Sequence, residues 1–370
     1  MTEPARVLQV LGGTTLGGAE SRIMDIYRNI DRTKVQFDFV VHNKREDHYN
    51  QEIRSLGGKI YRIPKFRFYN ILNYRKAWRI FFREHTEYIA VHGHMTSTAA
   101  IYLPIAKGNG IPITIAHARS AGTDPGIKGI LTGWLRRNLY ECADYCFTCS
   151  KKAGDAVFGN KNMKEGKIQI IPNAIEIDNY VYDKVVRNQI REEYGLQDAY
   201  VIGHVGRFHY AKNHTFLLDI FAELYKKKEN ARLLLLGEGN LLPEIREKAV
   251  RLGIQEKVIF AGNHTNVRDY YQAMDYLVFP SHFEGLPGTI VEAQAAGLRC
   301  LISDTIAEEV VVTELVKTMS LRKSAEEWAD YVLGHLLYER KQNLSALKEA
   351  GFDVKSQVTK LQDFYLGKKN

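Results

Sequence analysis

The chain has 370 residues, 45% hydrophobic and 25% charged, the balance of a soluble globular protein with more than one domain. No apolar run reaches the roughly 18 residues of a membrane span; the start MTEPARVLQVL does not read as a signal peptide, and four cysteines without one point to a reducing cytoplasm. The net charge of +8 is one-sided: residues 1–180 carry 26 Lys and Arg against 17 Asp and Glu, net +9, and the remainder nets −1, so an anionic partner is expected for the first half.

In the first half, short β-branched runs alternate with amphipathic stretches. Strands are predicted at Val7–Leu11, Gln36–Val41, Lys59–Ile63, Ile89–Val91, Pro112–His117, Tyr145–Cys149 and Lys167–Ile171. Helices are predicted at Ala19–Ile30, Ile71–Arg83 and Thr96–Lys107. Such alternation implies a mainly parallel, doubly wound sheet. A Pro-Asn break at IPNAIEIDNY then opens a polar stretch, read as a linker over 176–198.

The pattern restarts with strands Tyr200–Val205, Arg232–Leu236, Val258–Ala261, Tyr276–Phe279 and Arg299–Ile302. Helices lie between them at Asn213–Lys226, Leu241–Leu252, Val267–Met274 and after Pro287, and the tail from Ala325 is helical with a break near Gly351. The expectation is an N-terminal domain over 1–175, a C-terminal domain over 199–352, and a last helix over 353–370 returning to the first domain. Two open α/β sheets facing across a cleft would bind ligand beyond the carboxyl ends of their strands.

Ser281–Gly297, SHFEGLPGTIVEAQAAG, carries the most chemistry. It leaves the strand at Phe279, turns through Gly285-Leu286-Pro287, and enters a helix with Glu284 and Glu292 eight residues apart. Proline suits the first helical turn, and backbone N–H groups there attract anions. Two carboxylates beside an anion site suit a ligand with both hydroxyls and phosphates.

Arg207 and Lys212 follow the first strand of the second domain in GRFHYAKN. Arginine grips phosphate with a planar fork and lysine acts as a point charge; two solvated loop cations is the bland alternative. In the first domain, Gly12–Gly18 (GGTTLGG) joins strand to helix. Its glycines let backbone approach a phosphate, though a tight turn alone explains them and no dinucleotide fingerprint is complete.

His117 ends a strand and could donate to a sugar hydroxyl or polarise a reacting group, or be a satisfied buried histidine. His92 and His94 share a face at i, i+2, but two ligands without a carboxylate argue against a metal. Cys142, Cys146 and Cys149 have a cluster-like spacing, yet Cys146 and Cys149 should point to opposite strand faces, so small buried residues are expected. There is no Asp-x-Asp to bridge a metal to a diphosphate.

Lys59–Arg83 is basic and aromatic with no acid. Lys65, Arg67, Arg75, Lys76, Arg79 and Arg83 interleave with aromatic residues, and Ile71, Tyr74, Trp78 and Phe81 share one helical face. The stretch suits an anionic membrane surface or single-stranded nucleic acid; a helix packed on its sheet is the bland reading, compatible with the first.

Taken together, the chain resembles a retaining glycosyltransferase of family 4, of the bacterial exopolysaccharide and capsule type. The resemblance rests on Gly17-Gly18-Ala19-Glu20, His117 in AHARS, IPN-x-I-x-x-D, Gly206-Arg207 with Lys212, Gly237-Glu238-Gly239, PSHFEGLP…VEAQAAG and ISDTIAEEV. It implies the GT-B fold: two Rossmann-like doubly wound parallel-sheet domains facing across a cleft, with C-terminal helices. It also implies roles. Glu292 would accept from the nucleotide ribose, and Glu284 would contact the donor sugar. Arg207 and Lys212 would hold the leaving diphosphate, Gly18 would offer its N–H to the same phosphates, and His117 would sit near the reacting centre. Gly17, Gly237, Gly285, Leu286 and Pro287 complete the nucleotide-sugar site. Ala174, where glycine is common, and Met274, where alanine is usual, depart from the pattern.

The function this implies is transfer of a hexosyl or N-acetylhexosaminyl group from a nucleoside-diphosphate sugar, UDP favoured, to a glycan acceptor expected to be lipid-linked. No cofactor or metal is expected. The enzyme would be cytoplasmic, peripheral at the inner face of the membrane, and not a binder of nucleic acid. A 2-epimerase or hydrolase of the same fold is the alternative within enzymes. A basic nucleic-acid-binding protein is the alternative outside them, and it would leave both carboxylates idle.

Overall fold

The structure, a computed structural model, describes residues 3–119, 127–166 and 168–368, without the side chains of 127 and 128. Lys167 of the expected seventh strand and Ser120 of AHARS lie outside the described residues. The chain divides into two compact units, Met1–Ala174 with Asp353–Asn370, and Ile175–Phe352.

The first unit holds seven strands: β1 (Ala5–Val10), β2 (Val35–Val41), β3 (Ile60–Arg62), β4 (Tyr88–Gly93), β5 (Ile113–Ala118), β6 (Tyr145–Thr148) and β7 (Ile168–Ile170). They form one parallel sheet in the order β3-β2-β1-β4-β5-β6-β7. A parallel sheet is covered on both faces, which is why its strands read as continuous apolar runs. Leu8 and Val10 join a core with Trp78 and Tyr102 from helices Ile71–Glu84 and Thr96–Gly108. Val7, Phe37 and Phe39 join the opposite core with Ile23 and Tyr27 from helix Gly18–Asn29.

That second core also takes Val354, Val358, Leu361 and Tyr365 from the last helix, Val354–Tyr365. Their spacing of about one helical turn lays an apolar stripe on the first unit's sheet. Asp353 starts this helix by accepting from Ser356 N at 3.1 Å.

The second unit holds β8 (Tyr200–Val205), β9 (Ala231–Leu236), β10 (Val258–Gly262), β11 (Tyr276–Phe279), β12 (Cys300–Ser303) and β13 (Val316–Met319). These are parallel in the order β10-β9-β8-β11-β12-β13. In both sheets the order reverses beside the first strand, between β1 and β4 and between β8 and β11. Successive connections there leave to opposite faces and open a crevice at the carboxyl edge.

Residues 176–198, expected as a linker, are built into the second unit. They form a short 3₁₀ turn at Ile177–Tyr180 and a helix at Lys184–Glu193 capped by Asp183. Arg187 donates to the carbonyls of Gln272, Ala273 and Met274, and Arg191 to that of Ala273. Both arginines also pair with Asp275, at 2.5 and 3.2 Å. The polar character of the stretch thus serves to cap the carboxyl end of helix Val267–Ala273, where the exposed carbonyls attract cations. β13 was not foreseen: as an edge strand it exposes Lys317 and Thr318 and lacks a continuous apolar run.

Met274 fits because of a glycine. A Cβ on Gly203 of β8 would lie 2.0 Å from Met274 Sδ, so the bare backbone there makes room for the larger side chain.

Candidate active site

The carboxyl edge of β8 and β11 gathers charge. After β8 the chain passes Gly206 and Arg207, makes a 3₁₀ turn at Tyr210–Lys212, and enters helix His214–Lys227 through Asn213. Asn213 takes the left-handed conformation, φ 54°, caps the helix through its side-chain oxygen, and donates to Pro280 O at 3.0 Å. His282 N donates to Ala211 O at 2.8 Å. The loops after β8 and β11 are therefore fastened to each other.

This fastening sets Lys212 against Glu284, Nζ to Oε1 at 2.7 Å, with both side chains largely buried. The ion pair lacks the alignment of a hydrogen bond, so Glu284 Oε1 keeps unused acceptor capacity. Lys212 also lies over the Phe279 ring, 4.5 Å from its centre, and a Cβ on Gly206 would come within 3.0 Å of its Cε. Arg207, on the same loop, is exposed and has no hydrogen bond or ion pair among the described residues.

Gly237 follows β9 at φ 132°, and a Cβ there would lie 2.2 Å from Gly206 O. Only glycine allows this approach. It packs the β9 loop against the one that carries Arg207.

Gly285, Leu286 and Pro287 are buried and lead into helix Gly288–Ala295, whose first turn has no side-chain cap. Glu292 lies on that helix, only 9% exposed, and accepts from Tyr271 Oη at 2.7 Å. Burial, followed by the Glu292 charge, holds the Tyr271 phenol far above its ordinary pKa, so it remains a donor. Gln294 anchors the same helix: its amide bonds Ile290 O, Val310 O, and the backbone and hydroxyl of Thr313. Thus Glu284 belongs to the loop and Glu292 to a rigid helix. Tyr271, Phe279 and Asn213, which support them, carried no sequence signal.

On the first unit's sheet, Gly17 is the N-cap residue and Gly18 the first residue of helix Gly18–Asn29. Space is open where a Cβ on Gly18 would stand. Thr14 N donates to Asp47 at 2.9 Å and holds the glycine loop in place. His117 is the last but one residue of β5, the strand next to β4, and it does not stand alone. His92 on β4 and His94 after it have their rings 4.4 Å apart, and His92 Nε2 lies 2.9 Å from His117 Nδ1.

All three histidines are pushed far below their ordinary pKa, first by burial and then by the Arg119 charge or one another. They are neutral at pH 7. Their nitrogens lie close enough to surround a cation. Yet five of the six are spent on one another or on Tyr365, Gln9 and Arg119, and the Arg119 cation adjoins them. This donor set fits an internal hydrogen-bond chain better than a metal cage.

Lys65, Arg67, Arg75, Lys76, Arg79 and Arg83 are all exposed, while Tyr74, Trp78, Phe81 and Phe82 of the same helix are buried. Both readings of this segment are accommodated: its aromatic face packs on the sheet and its cations face water. Cys146 is buried in β6 and Cys149 lies just past the strand end, also buried.

Comparison with known proteins agrees with this architecture. Residues 16–179 match the model of Glycosyltransferase Family 4, and residues 199–337 that of Glycosyl transferases group 1. The putative glycosyltransferase EpsF of Bacillus subtilis is 32% identical, the alignment spanning 97% of this chain and 96% of EpsF. The capsular polysaccharide biosynthesis glycosyltransferase CapH of Staphylococcus aureus is 25% identical over 98% and 99% of the two chains. Among solved structures, Anabaena Alr3699/HepE in complex with UDP and glucose superposes with a TM-score of 0.74, covering 97% of this chain and 95% of its own, at 16% identity.

Proposed function

Since the chain belongs to glycosyltransferase family 4 and has the GT-B fold, we propose that it is a retaining transferase acting in surface polysaccharide biosynthesis. It moves a hexosyl or N-acetylhexosaminyl group from a UDP-sugar to a hydroxyl of a lipid-linked glycan. The observation that carries this reading is the Lys212–Glu284 pair beside uncommitted Arg207 at the edge where β8 meets β11.

As the glycosidic bond to the diphosphate stretches, the sugar gains oxocarbenium character and charge grows on the leaving oxygens. Arg207, Lys212 and the start of helix Gly288–Ala295 stabilise that charge more than the ground state. The departing phosphate, on the face the acceptor attacks, takes the acceptor proton, so no side chain is needed as base. Glu284 holds Lys212 in place and offers its remaining acceptor capacity to the sugar. Glu292, fixed by Tyr271, accepts from the ribose. On the first unit, open backbone at Gly18 beside Gly17 suits a phosphate, and the His117 imidazole suits a sugar hydroxyl. With cations supplied by the chain, no metal ion is required.

The acceptor's lipid brings the first unit to the inner face of the membrane. Its helix Ile71–Glu84 exposes Leu72 (79%) beside the cations, and helix Ile127–Arg136 exposes Ile130 (73%) and Trp134 (66%) on one face. Both helices pack on helix Thr96–Gly108. Arg75 and Arg79 line a groove of about 390 Å³ with Ile71, Ile101 and Pro104. Exposed apolar side chains among cations suit an anionic lipid surface. No described helix is long and apolar enough to cross a membrane.

Thermal unfolding with UDP-, GDP- and ADP-sugars tests the donor site. A UDP-sugar at 100 times its Kd should add roughly 2.7 kcal/mol of stability. Stabilisation by GDP- or ADP-sugars alone would reassign the donor, and none by any would remove the reading.

A further inference from the structure

The histidines of the first unit form one end of a longer chain whose polarity can be worked out bond by bond. Arg119 begins it. A guanidinium has only donors. Arg119 Nε lies 3.0 Å from His94 Nδ1, and its Nη1 donates to Asn173 Oδ1 at 2.9 Å. His94 Nδ1 must therefore be bare. The neutral ring carries its one proton on Nε2, which faces Gln9 Oε1 at 2.8 Å. That orients the Gln9 amide: its oxygen serves His94, and its NH₂ is left for Tyr365.

Gln9 also interacts with Tyr365. Tyr365 Oη and His92 Nδ1 lie 2.6 Å apart, and the phenol, a far stronger acid than a neutral imidazole N–H, is the donor. His92 then holds its proton on Nε2 and donates to His117 Nδ1 at 2.9 Å. The only site left for the proton of His117 is Nε2, which is buried without a partner among the described residues.

We propose that the chain Arg119–His94–Gln9–Tyr365–His92 fixes His117 as its Nε2–H tautomer, so that His117 presents a hydrogen-bond donor, not a base, to the bound donor sugar. The first part rests on this unit alone, and the second rests on the reading of His117 as a sugar contact. The five are positioning residues. A buried N–H without a partner is costly, and a sugar hydroxyl or ring oxygen accepting from it would relieve that cost.

The test is nitrogen NMR of the ligand-free full chain labelled with ¹⁵N-histidine at pH 7.5, with His117 assigned through His117→Gln. Long-range proton–nitrogen correlations distinguish the tautomers directly. His117 should show Nε2 protonated and Nδ1 bare; the opposite pattern would overturn the proposal. In Tyr365→Phe the ring that packs edge-on against Phe37 is kept and the phenol proton is lost. His92 is then free to turn its tautomer over, and His117 should become a mixture. A pure Nε2–H state surviving in that variant would mean that the chain does not set it. Neither measurement needs a substrate. A failed tautomer result with a successful UDP-sugar shift would remove the chain and leave the transferase reading standing, and the reverse would do the opposite.

Discussion

The two units share one topology and differ in what they place at its carboxyl edge. In the first, the edge beside β1 and β4 ends in a hydrogen-bond chain of neutral imidazoles, an amide and a phenol, anchored by the Arg119 cation. In the second, the edge beside β8 and β11 ends in formal charges, Arg207, Lys212 and Glu284, with Glu292 on the helix that follows. A neutral chain defines direction and donates without moving charge. A charged cluster holds a ligand whose charge changes during reaction. One fold supports both because the sheet supplies only the crevice, and the loops supply the chemistry.

The largest effect that would break this division is loss of the cations. Arg207→Ala with Lys212→Ala should lower kcat for transfer by on the order of 10²-fold or more. His117→Gln, which keeps a donor on the neutral side, should cost distinctly less. Steady-state rates with the UDP-sugar that gives the best thermal shift decide the matter. Near-normal turnover in the double variant would mean that the leaving group is stabilised elsewhere.

Why the charged side was legible in sequence, and the neutral side less so, has a physical cause. Arg207 and Lys212 stand two and seven residues past β8, and Glu284 five past β11, so locating two apolar strands located the cluster. Runs such as Leu233–Leu236 are easy to find because both faces of a parallel sheet are buried. His117, His92 and His94 were likewise visible as residues at strand ends. Their connection was not: Tyr365 meets His92 across 273 residues of chain, and nothing in an amphipathic terminal helix marks one tyrosine as a hydrogen-bond partner. Arg187 and Arg191 misled for a related reason. A guanidinium that caps carbonyls and one in water look the same in a sequence, and only packing separates them.

A smaller effect sharpens the contrast on the outer surface, where the first unit sets Leu72, Ile130 and Trp134 near exposed cations. Vesicles containing anionic lipid should sediment the protein, and salt should release it as exposed charges are screened. Arg75→Gln with Arg79→Gln removes about 1 kcal/mol per cation near the surface, or roughly 30-fold in partitioning. Trp134→Ser should weaken binding to a lesser degree without changing its salt dependence. Equal partitioning onto neutral and anionic vesicles would remove the electrostatic part.

The smallest difference concerns acid. In the first unit His42, His92, His94 and His117 all have pKa values lowered mainly by burial. In the second, the deeply buried His204 and His214 are lowered to about 3 and about 2, again mainly by burial. An unfolded histidine titrates near 6.5. Below that pH the unfolded chain takes up protons that the folded one refuses, so stability is complete above about 6.5 and is lost as the pH falls towards the depressed folded values. Each such histidine contributes on the order of 1 kcal/mol per pH unit in that window. His282 of the second unit is lowered by burial as well, so four against three should make the first unit the more acid-sensitive. Trp78 and Trp328, both fully buried, report separately on the two units. In variants keeping only one of them, the urea midpoint read by Trp78 should fall faster between pH 6.5 and 5 than that read by Trp328. Parallel declines would mean that the histidines share one cooperative unfolding unit, or that carboxylates dominate the acid response, and the chemical contrast between the edges would then leave no mark on stability.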